Sequence, residues 1–182
     1  MSKDKGIGLK ADRGLMRFCW TMAAVALLMI AWGCIGYRLG STLPKGLNSI
    51  HVPTFVNKCE EPQAENDCTK ATIQEFQKDG TLSISGADQA DLNLDVTLVK
   101  YTLEPLRYER DDPKTTREYR LTLTADLVLT QTKTGKILVK RTVEGQSTFY
   151  PGSDLTSAKR TALPKAAADL AQKVVESVVE AW

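Results

Sequence analysis

Cysteine is the residue type with the most distinctive chemistry in this chain of 182 residues, which contains four of them. Cys34 lies near the end of an apolar stretch from Phe18 to Tyr37, in which 20 consecutive positions are uncharged. Gly33 precedes it, and a small residue before a cysteine at such a place is the pattern that lipoprotein signal peptidase cleaves. We therefore expect Cys34 to become the N-terminal residue and to carry the acyl chains of a lipid anchor.

The residues before the apolar stretch form the positive flank typical of an export signal. They comprise Lys3, Lys5, Lys10, Arg13 and Arg17, against Asp4 and Asp12. We expect residues 1–33 to be a lipoprotein signal peptide and residues 34–49, rich in Gly, Ser and Pro, to be a lipidated tether. A plain signal-anchor helix is the alternative, since about 20 apolar residues are enough to cross a bilayer. In both cases the rest of the chain is exported and held at a membrane.

The two remaining cysteines, Cys59 and Cys68, are separated by eight residues. An exported protein is in an environment that permits disulfides, and closing so short a loop would stabilise the fold by roughly 2–3 kcal/mol in the chain-entropy model. A metal site or a redox pair is less well supported, because His51 is the only histidine and the cysteine spacing matches neither a zinc site nor a thioredoxin motif. The sequence therefore predicts a structural disulfide, no metal and no cofactor.

Charge and motif content argue against two classes of function. The whole chain has 24 Lys and Arg and 22 Asp and Glu; without the five basic and two acidic residues that precede Cys34, the counts are 19 and 20. Nucleic-acid-binding proteins usually carry a clear positive excess, so we expect no nucleic-acid partner. We also expect no enzymatic activity, because the chain has no nucleophile motif, no glycine-rich phosphate loop and no acid–base partner evident for its single histidine.

Alternating apolar residues predict most of the strands. Every second residue is apolar from Leu92 to Leu98, and the alternation continues with the opposite parity from Val99 to Leu103. A slip of one residue turns the apolar side to the other face, so we expect a bulge near Leu98 and Val99. The same pattern predicts strands at residues 119–129 and 137–150, joined by a turn at 132–135.

Shorter strands and two helices complete the pattern. The predicted elements are strands at 50–56 and 81–85 and helices at 69–78 and 163–181. Pro53 indicates an edge or a bulge in the first strand, and Asp67 or Thr69 is expected to cap the first helix. Pro164 is expected in the first turn of the C-terminal helix, after a separate short turn that starts at Ser157.

This order of elements predicts an α+β fold in residues 50–182, arranged as a single domain. We expect a two-layer sandwich, with a mixed, mostly antiparallel sheet of four to five strands and two helices packed on one face. The helical crossover makes the first two strands parallel if they share a sheet, whereas the later hairpins are antiparallel.

Several short motifs, taken in order, resemble the LPS-assembly lipoprotein LptE family. The pieces are Gly33-Cys34, Gly36-Tyr37-Arg38-Leu39, Leu43-Pro44 before residues 50–57, Ala90 to Leu94, Glu118 to Leu121, and Thr134-Gly135-Lys136. The resemblance extends over essentially the whole chain after the export signal. One departure is Ile35, which is inserted between Cys34 and Gly36, whereas the family usually has Cys-Gly followed by an aromatic residue.

The resemblance implies a lipid-anchored protein on the periplasmic side of the outer membrane. Members of this family plug the lumen of the β-barrel LptD, and the two proteins insert lipopolysaccharide (LPS) into the outer leaflet. LptD and LPS are thus the expected partners, together with the membrane that holds the anchor. The alternative is an auxiliary lipoprotein of another envelope transport or secretion system, which binds lipid or forms oligomers.

The family also implies that basic surface residues bind LPS, and the strand order suggests which ones. Antiparallel strands would place the loops at 107–117 and 150–160 at the same end of the sheet. The first candidates for binding LPS phosphates are Arg110, Lys114, Lys159 and Arg160. Lys133 and Lys136, at the opposite end, come second. The alternative is an ordinary solvated end whose acidic residues neutralise part of this charge.

The polar face of the last two strands permits two interpretations. Its residues include Thr122, Thr124, Thr130, Lys140 and Thr142. This face would either line a barrel lumen or face solvent, and the sequence does not separate the two.

Overall fold

The computed structural model describes residues 46–108 and 116–180, all of which belong to one compact unit. The elements are β1 (Ser49–His51), β2 (Val56–Asn57), α1 (Ala64–Asp79), β3 (Ser83–Ile84), β4 (Leu92–Tyr108), β5 (Thr116–Gln131), β6 (Ile137–Phe149) and α2 (Leu155–Val179). The predicted α+β sandwich is confirmed. The predicted signal peptide, Cys34, Arg110 and Lys114 lie outside the described residues.

The sheet has six strands rather than four or five, with the order β3-β1-β4-β5-β6 and β2 beside β4. The extra strand arises because the predicted strand at 50–56 is divided into β1 and β2, which pair with successive parts of β4. Pro53 lies in the interruption. Proline has no backbone N–H to donate to a neighbouring strand, so it is tolerated where the pairing is interrupted. The strands predicted at 50–56 and 81–85 were expected to be parallel, and the parallel pairing of β1 with β3 confirms this. Strands β4, β5 and β6 pair in antiparallel fashion, also as expected.

The predicted bulge is present in β4. Leu98 pairs with Ala125 and Lys100 with Thr124, so Val99 is the additional residue. The slip keeps the apolar side of both halves of the strand on the helix-covered face, because the parity of the sequence changes at the same place. Leu98 is fully buried before the bulge, and Tyr101 packs against the same core after it.

Helix α1 begins five residues earlier than predicted, because its buried face extends through Ala64 and Cys68 to Phe76. Neither Asp67 nor Thr69 caps it, so that prediction is wrong. The Thr69 hydroxyl lies inside the helix, where it donates to the Glu65 carbonyl oxygen (2.6 Å) and accepts the Phe55 N–H (2.9 Å). Because its hydroxyl donates one hydrogen bond and accepts another, Thr69 connects helix α1 to the segment before β2.

Helix α2 is a single helix of 25 residues with Pro164 in its interior. The prediction of a separate short turn is therefore wrong. Asp154 caps the helix through the N–H groups of Thr156 and Ser157 (3.0 and 3.1 Å). An interior proline costs about 3 kcal/mol. The apolar face is continuous across it, since Ala162, Leu163, Ala166 and Ala167 are all buried.

The predicted disulfide is absent, because Cys59 and Cys68 are both free thiols. Cys68 faces the core from α1, whereas the Cys59 thiol donates to Asn57 Oδ1 at 3.0 Å. Burial, reinforced by the nearby Asp67 carboxylate, raises the pKa of Cys68 to about 12. The Cys59 charge also contributes to this raised pKa, so the two thiols lie near each other, but their sulfur atoms are not bonded.

The helices pack on one face of the sheet, with α2 against β5 and β6 and α1 against α2 and the short strands. The core between the layers includes leucines from β4 and β5, alanines and valines from α2, and Phe76 from α1. Neither α1 nor α2 is long and apolar enough to span a membrane.

Candidate functional site

The end of the sheet that was predicted to be basic is formed by the ends of three long strands. Tyr108 of β4 pairs with Thr116 of β5, and Tyr119 of β5 pairs with Phe149 of β6. The rings of Tyr119 and Phe149 stack with their centroids 5.8 Å apart. Helix α2 begins shortly after Phe149, so its first turns lie at this end.

Lys159 and Arg160 line a cleft between the first turns of α1 and α2. The other lining residues are Glu61, Pro62, Gln63, Asp67, Thr156 and Leu163. The last turns of the two helices line a second cleft, so the helices run in the same direction. Both N-terminal ends, with their positive partial charges, therefore lie beside Lys159 and Arg160.

The charge around this cleft is mixed. Glu61 and Asp67 come from the α1 side, and Asp154 precedes α2. Hydrogen bonds from Ser157 and Thr156, with a smaller contribution from the Arg160 charge, hold the pKa of Asp154 below its ordinary value. Two cations beside three carboxylates are insufficient for a ligand with several phosphates. Further cations would have to come from outside this cleft.

At the opposite end of the sheet, Lys133 forms an ion pair with Asp91 at 3.7 Å. Asp91 also accepts hydrogen bonds from the Asn48 N–H (3.2 Å) and the Ser49 hydroxyl (2.9 Å). These bonds, with help from Lys133, lower the pKa of Asp91. Asp91 thus connects the β5–β6 turn to the start of β1, and one of the two second-choice lysines already has a carboxylate partner.

The cleft at the last turns of the helices is acidic, and no short pattern in the sequence predicts it. Its charged lining residues are Glu75, Lys78, Asp79, Glu176 and Glu180. Lys78 pairs with Glu75 at 3.1 Å. The two groups of carboxylates are about a hundred residues apart in sequence, and only the parallel packing of α1 and α2 brings them together.

The outer face of the sheet is polar, and neither α1 nor α2 packs on it. Its side chains alternate with the buried leucines of β4 and β5 and include Thr97, Thr122, Thr124, Asp126, Thr130, Lys140 and Thr142. The Thr142 hydroxyl donates to the Asp126 carboxylate at 2.6 Å, and the Thr124 hydroxyl donates to Glu144 at 3.3 Å. Hydroxyl and charged groups thus form a continuous surface across the long strands.

Comparison with known proteins adds a family to this geometry. The model of the lipopolysaccharide-assembly family LptE matches residues 47–178. No curated protein matches the chain.

Several solved structures are similar to the chain at low sequence identity. A Xanthomonas campestris protein of the DUF330 family is 12% identical, with 76% of this chain and 90% of that chain covered and a TM-score of 0.53. A hypothetical protein from Chlamydia trachomatis is 6% identical, with 72% and 95% covered and a TM-score of 0.51. Rare lipoprotein B from Shewanella oneidensis is 12% identical, with 73% and 95% covered and a TM-score of 0.47.

Proposed function

Because the chain belongs to the lipopolysaccharide-assembly family LptE, we propose that it is an outer-membrane lipoprotein that plugs and supports the LptD β-barrel and assists insertion of LPS into the outer leaflet. The family match over residues 47–178 carries the proposal. Acyl chains on Cys34 would hold the protein on the periplasmic side of the membrane. The role is one of assembly and binding rather than of catalysis.

The outer face of the sheet supports the position inside a barrel. The interiors of large outer-membrane barrels are polar, and a plug must offer them a surface that forms hydrogen bonds. The threonine hydroxyls and charged groups of β4, β5 and β6 provide such a surface, since both helices pack on the other side.

LPS binding is proposed at the end of the sheet where α1 and α2 begin. Lys159 and Arg160 lie there beside the N-terminus of α1, which no side chain caps and which favours anionic groups. Arg110 and Lys114 belong to the connection between β4 and β5, whose flanking residues Tyr108 and Thr116 are paired. Arg110 and Lys114 would add two cations to Lys159 and Arg160, and these four side chains would bind the phosphates of lipid A.

A pull-down with immobilised LPS tests this site. Neutralising Arg110, Lys114, Lys159 and Arg160 together to glutamine should abolish retention of the full-length protein. Neutralising Lys133 and Lys136 at the other end of the sheet is the matched control and should leave retention unchanged. Unchanged retention of the fourfold variant would refute the site.

Purification from outer membranes in mild detergent tests the plug and the anchor. The tagged protein should be recovered with a barrel of the size of LptD, and its intact mass should correspond to a chain that starts at Cys34 and carries acyl groups. Recovery of a ring of identical subunits without a barrel would instead favour an auxiliary lipoprotein of another envelope system. A full-length N-terminus would favour a signal anchor.

A further inference from the structure

Strand β6 forms one edge of the described sheet, since it pairs with β5 on one side only. Its backbone groups alternate between β5 and the outside, as in any antiparallel ladder. The N–H of Gln146 and the carbonyl of Glu144 bond to α2. Residues of the same parity as 144 and 146 therefore direct their backbone groups away from β5.

Helix α2 covers the C-terminal part of this edge. Asp169 Oδ2 accepts the Gln146 N–H at 2.7 Å, and Lys173 Nζ donates to the Glu144 carbonyl oxygen at 2.7 Å. The two side chains also bond to each other at 3.0 Å. An additional strand cannot pair there without displacing Asp169 and Lys173.

The N-terminal part of the edge is open. Lys140 and Thr142 pair with Val128 and Asp126 and share the parity of Glu144. Their N–H and carbonyl groups consequently point outward, and nothing within residues 46–108 and 116–180 hydrogen-bonds to them. Both residues are exposed, as is Arg141 between them. Such outward-facing groups are a template on which another extended segment can pair.

The charge of the open edge indicates what kind of segment would pair with it. Lys136, Lys140 and Arg141 are all exposed, and Glu144 is the single carboxylate between residues 136 and 144. A second copy of the chain is a poor partner, because pairing centred on this stretch would place like charges opposite each other. A lysine on an open edge also discourages self-association. An acidic strand would form ion pairs with the cations and hydrogen bonds with the free backbone groups.

We propose that residues 139–143 of β6 are an interaction surface that adds an extended, acidic segment of another protein to the sheet as a further strand. Alternate carboxylates of that segment would face Lys140 on the outer side of the sheet, and the backbone would bond to residues 140 and 142. This inference goes beyond the proposed function, because it requires neither LptD nor LPS.

Nuclear magnetic resonance of the ¹⁵N-labelled full chain in zwitterionic detergent tests the surface. The probe is a soluble peptide of alternating glutamate and threonine, and the control peptide has lysine in place of glutamate. The glutamate peptide should shift the amide resonances of Lys140 and Thr142, and the lysine peptide should not. Absence of these shifts, or an equal response to both peptides, would overturn the proposal.

Position 142 allows a matched pair of variants. Thr142→Pro removes an N–H that faces away from β5, so the ladder with β5 keeps its bonds. It should weaken binding of the glutamate peptide by about tenfold or more, the equivalent of one lost hydrogen bond. Thr142→Val loses the same hydroxyl contact with Asp126 but keeps the N–H, so its binding should stay within about twofold of the original.

A double variant decides the question if the proline variant does not fold. Lys140→Glu with Arg141→Glu leaves every backbone group in place and should reverse the preference to the lysine peptide. An unchanged preference for the glutamate peptide would refute the surface. Dimerisation of the unmodified protein through residues 139–143 would refute it as well, because the occupant would then be a second copy.

Discussion

Gly145 of β6 lies directly against Leu170 of α2. A Cβ atom at residue 145 would be 2.5 Å from the nitrogen and the Cβ of Leu170 and from the carbonyl oxygen of Ala166. The strand and the helix therefore approach each other so closely that only a residue without a side chain fits at position 145. This close approach lets Asp169 and Lys173 reach the edge of β6.

Replacing Gly145 by alanine should lower the free energy of unfolding by about 1–3 kcal/mol, as other overpacked sites do. The added methyl group would force α2 away from the sheet. Gly86→Ala is the control, because its Cβ would meet no atom within 4 Å. Urea denaturation of both variants measures the difference. Equal stabilities would show that α2 does not depend on this contact.

The Thr69 hydroxyl connects α1 to the segment before β2. Thr69→Val should cost about 1–3 kcal/mol, because it leaves the buried Phe55 N–H without an acceptor. Thr69→Ser keeps the hydroxyl and should retain most of the stability. Thermal unfolding followed by circular dichroism distinguishes the variants. A valine variant as stable as the unmodified protein would contradict this role of the hydroxyl.

Cys68 should resist alkylation in the folded protein. Its sulfur is fully buried and its pKa is raised to about 12, so almost no reactive thiolate is present near neutral pH. Cys59 is half-buried and should be modified first by iodoacetamide at pH 8. Peptide mapping identifies the labelled residue. Recovery of a peptide pair linked through Cys59 and Cys68 would contradict the structure.

Asp91 should make stability fall at acid pH. Its pKa is lower in the folded protein than its ordinary value of 3.8, mainly through the Asn48 N–H and the Ser49 hydroxyl. A carboxylate whose pKa is depressed by folding contributes fully above its unfolded pKa, and the contribution is lost as the pH falls through the folded pKa. Urea unfolding at a series of pH values should therefore show a flatter acid decline for Asp91→Asn. Identical slopes would contradict this role.

The long strands could be predicted because their alternation is unambiguous. The change of parity between Leu98 and Val99 even gave the position of the bulge, since only an additional residue keeps both halves facing one core. Pro53 likewise marked the interruption between β1 and β2.

The remaining features depend on tertiary contacts that no short pattern contains. Pro164 lies inside α2 because the buried alanines on both sides hold the helix together against the proline. Cys59 and Cys68 are close in sequence, yet both are free thiols, and the Cys59 thiol bonds to Asn57 instead. The acidic cleft and the open half of β6 follow from how α2 packs, which the periodicity of α2 alone does not specify.

The central proposal, a plug inside LptD, is tested most directly by photocrosslinking in living cells from the outer face of the sheet. A benzoylphenylalanine at position 124, on the polar face of β5, should crosslink to a protein of the size of LptD in the outer-membrane fraction on illumination. The sample kept in the dark is the control. Crosslinks only to the chain itself, or none to a barrel while the protein is folded and in the outer membrane, would contradict the proposal.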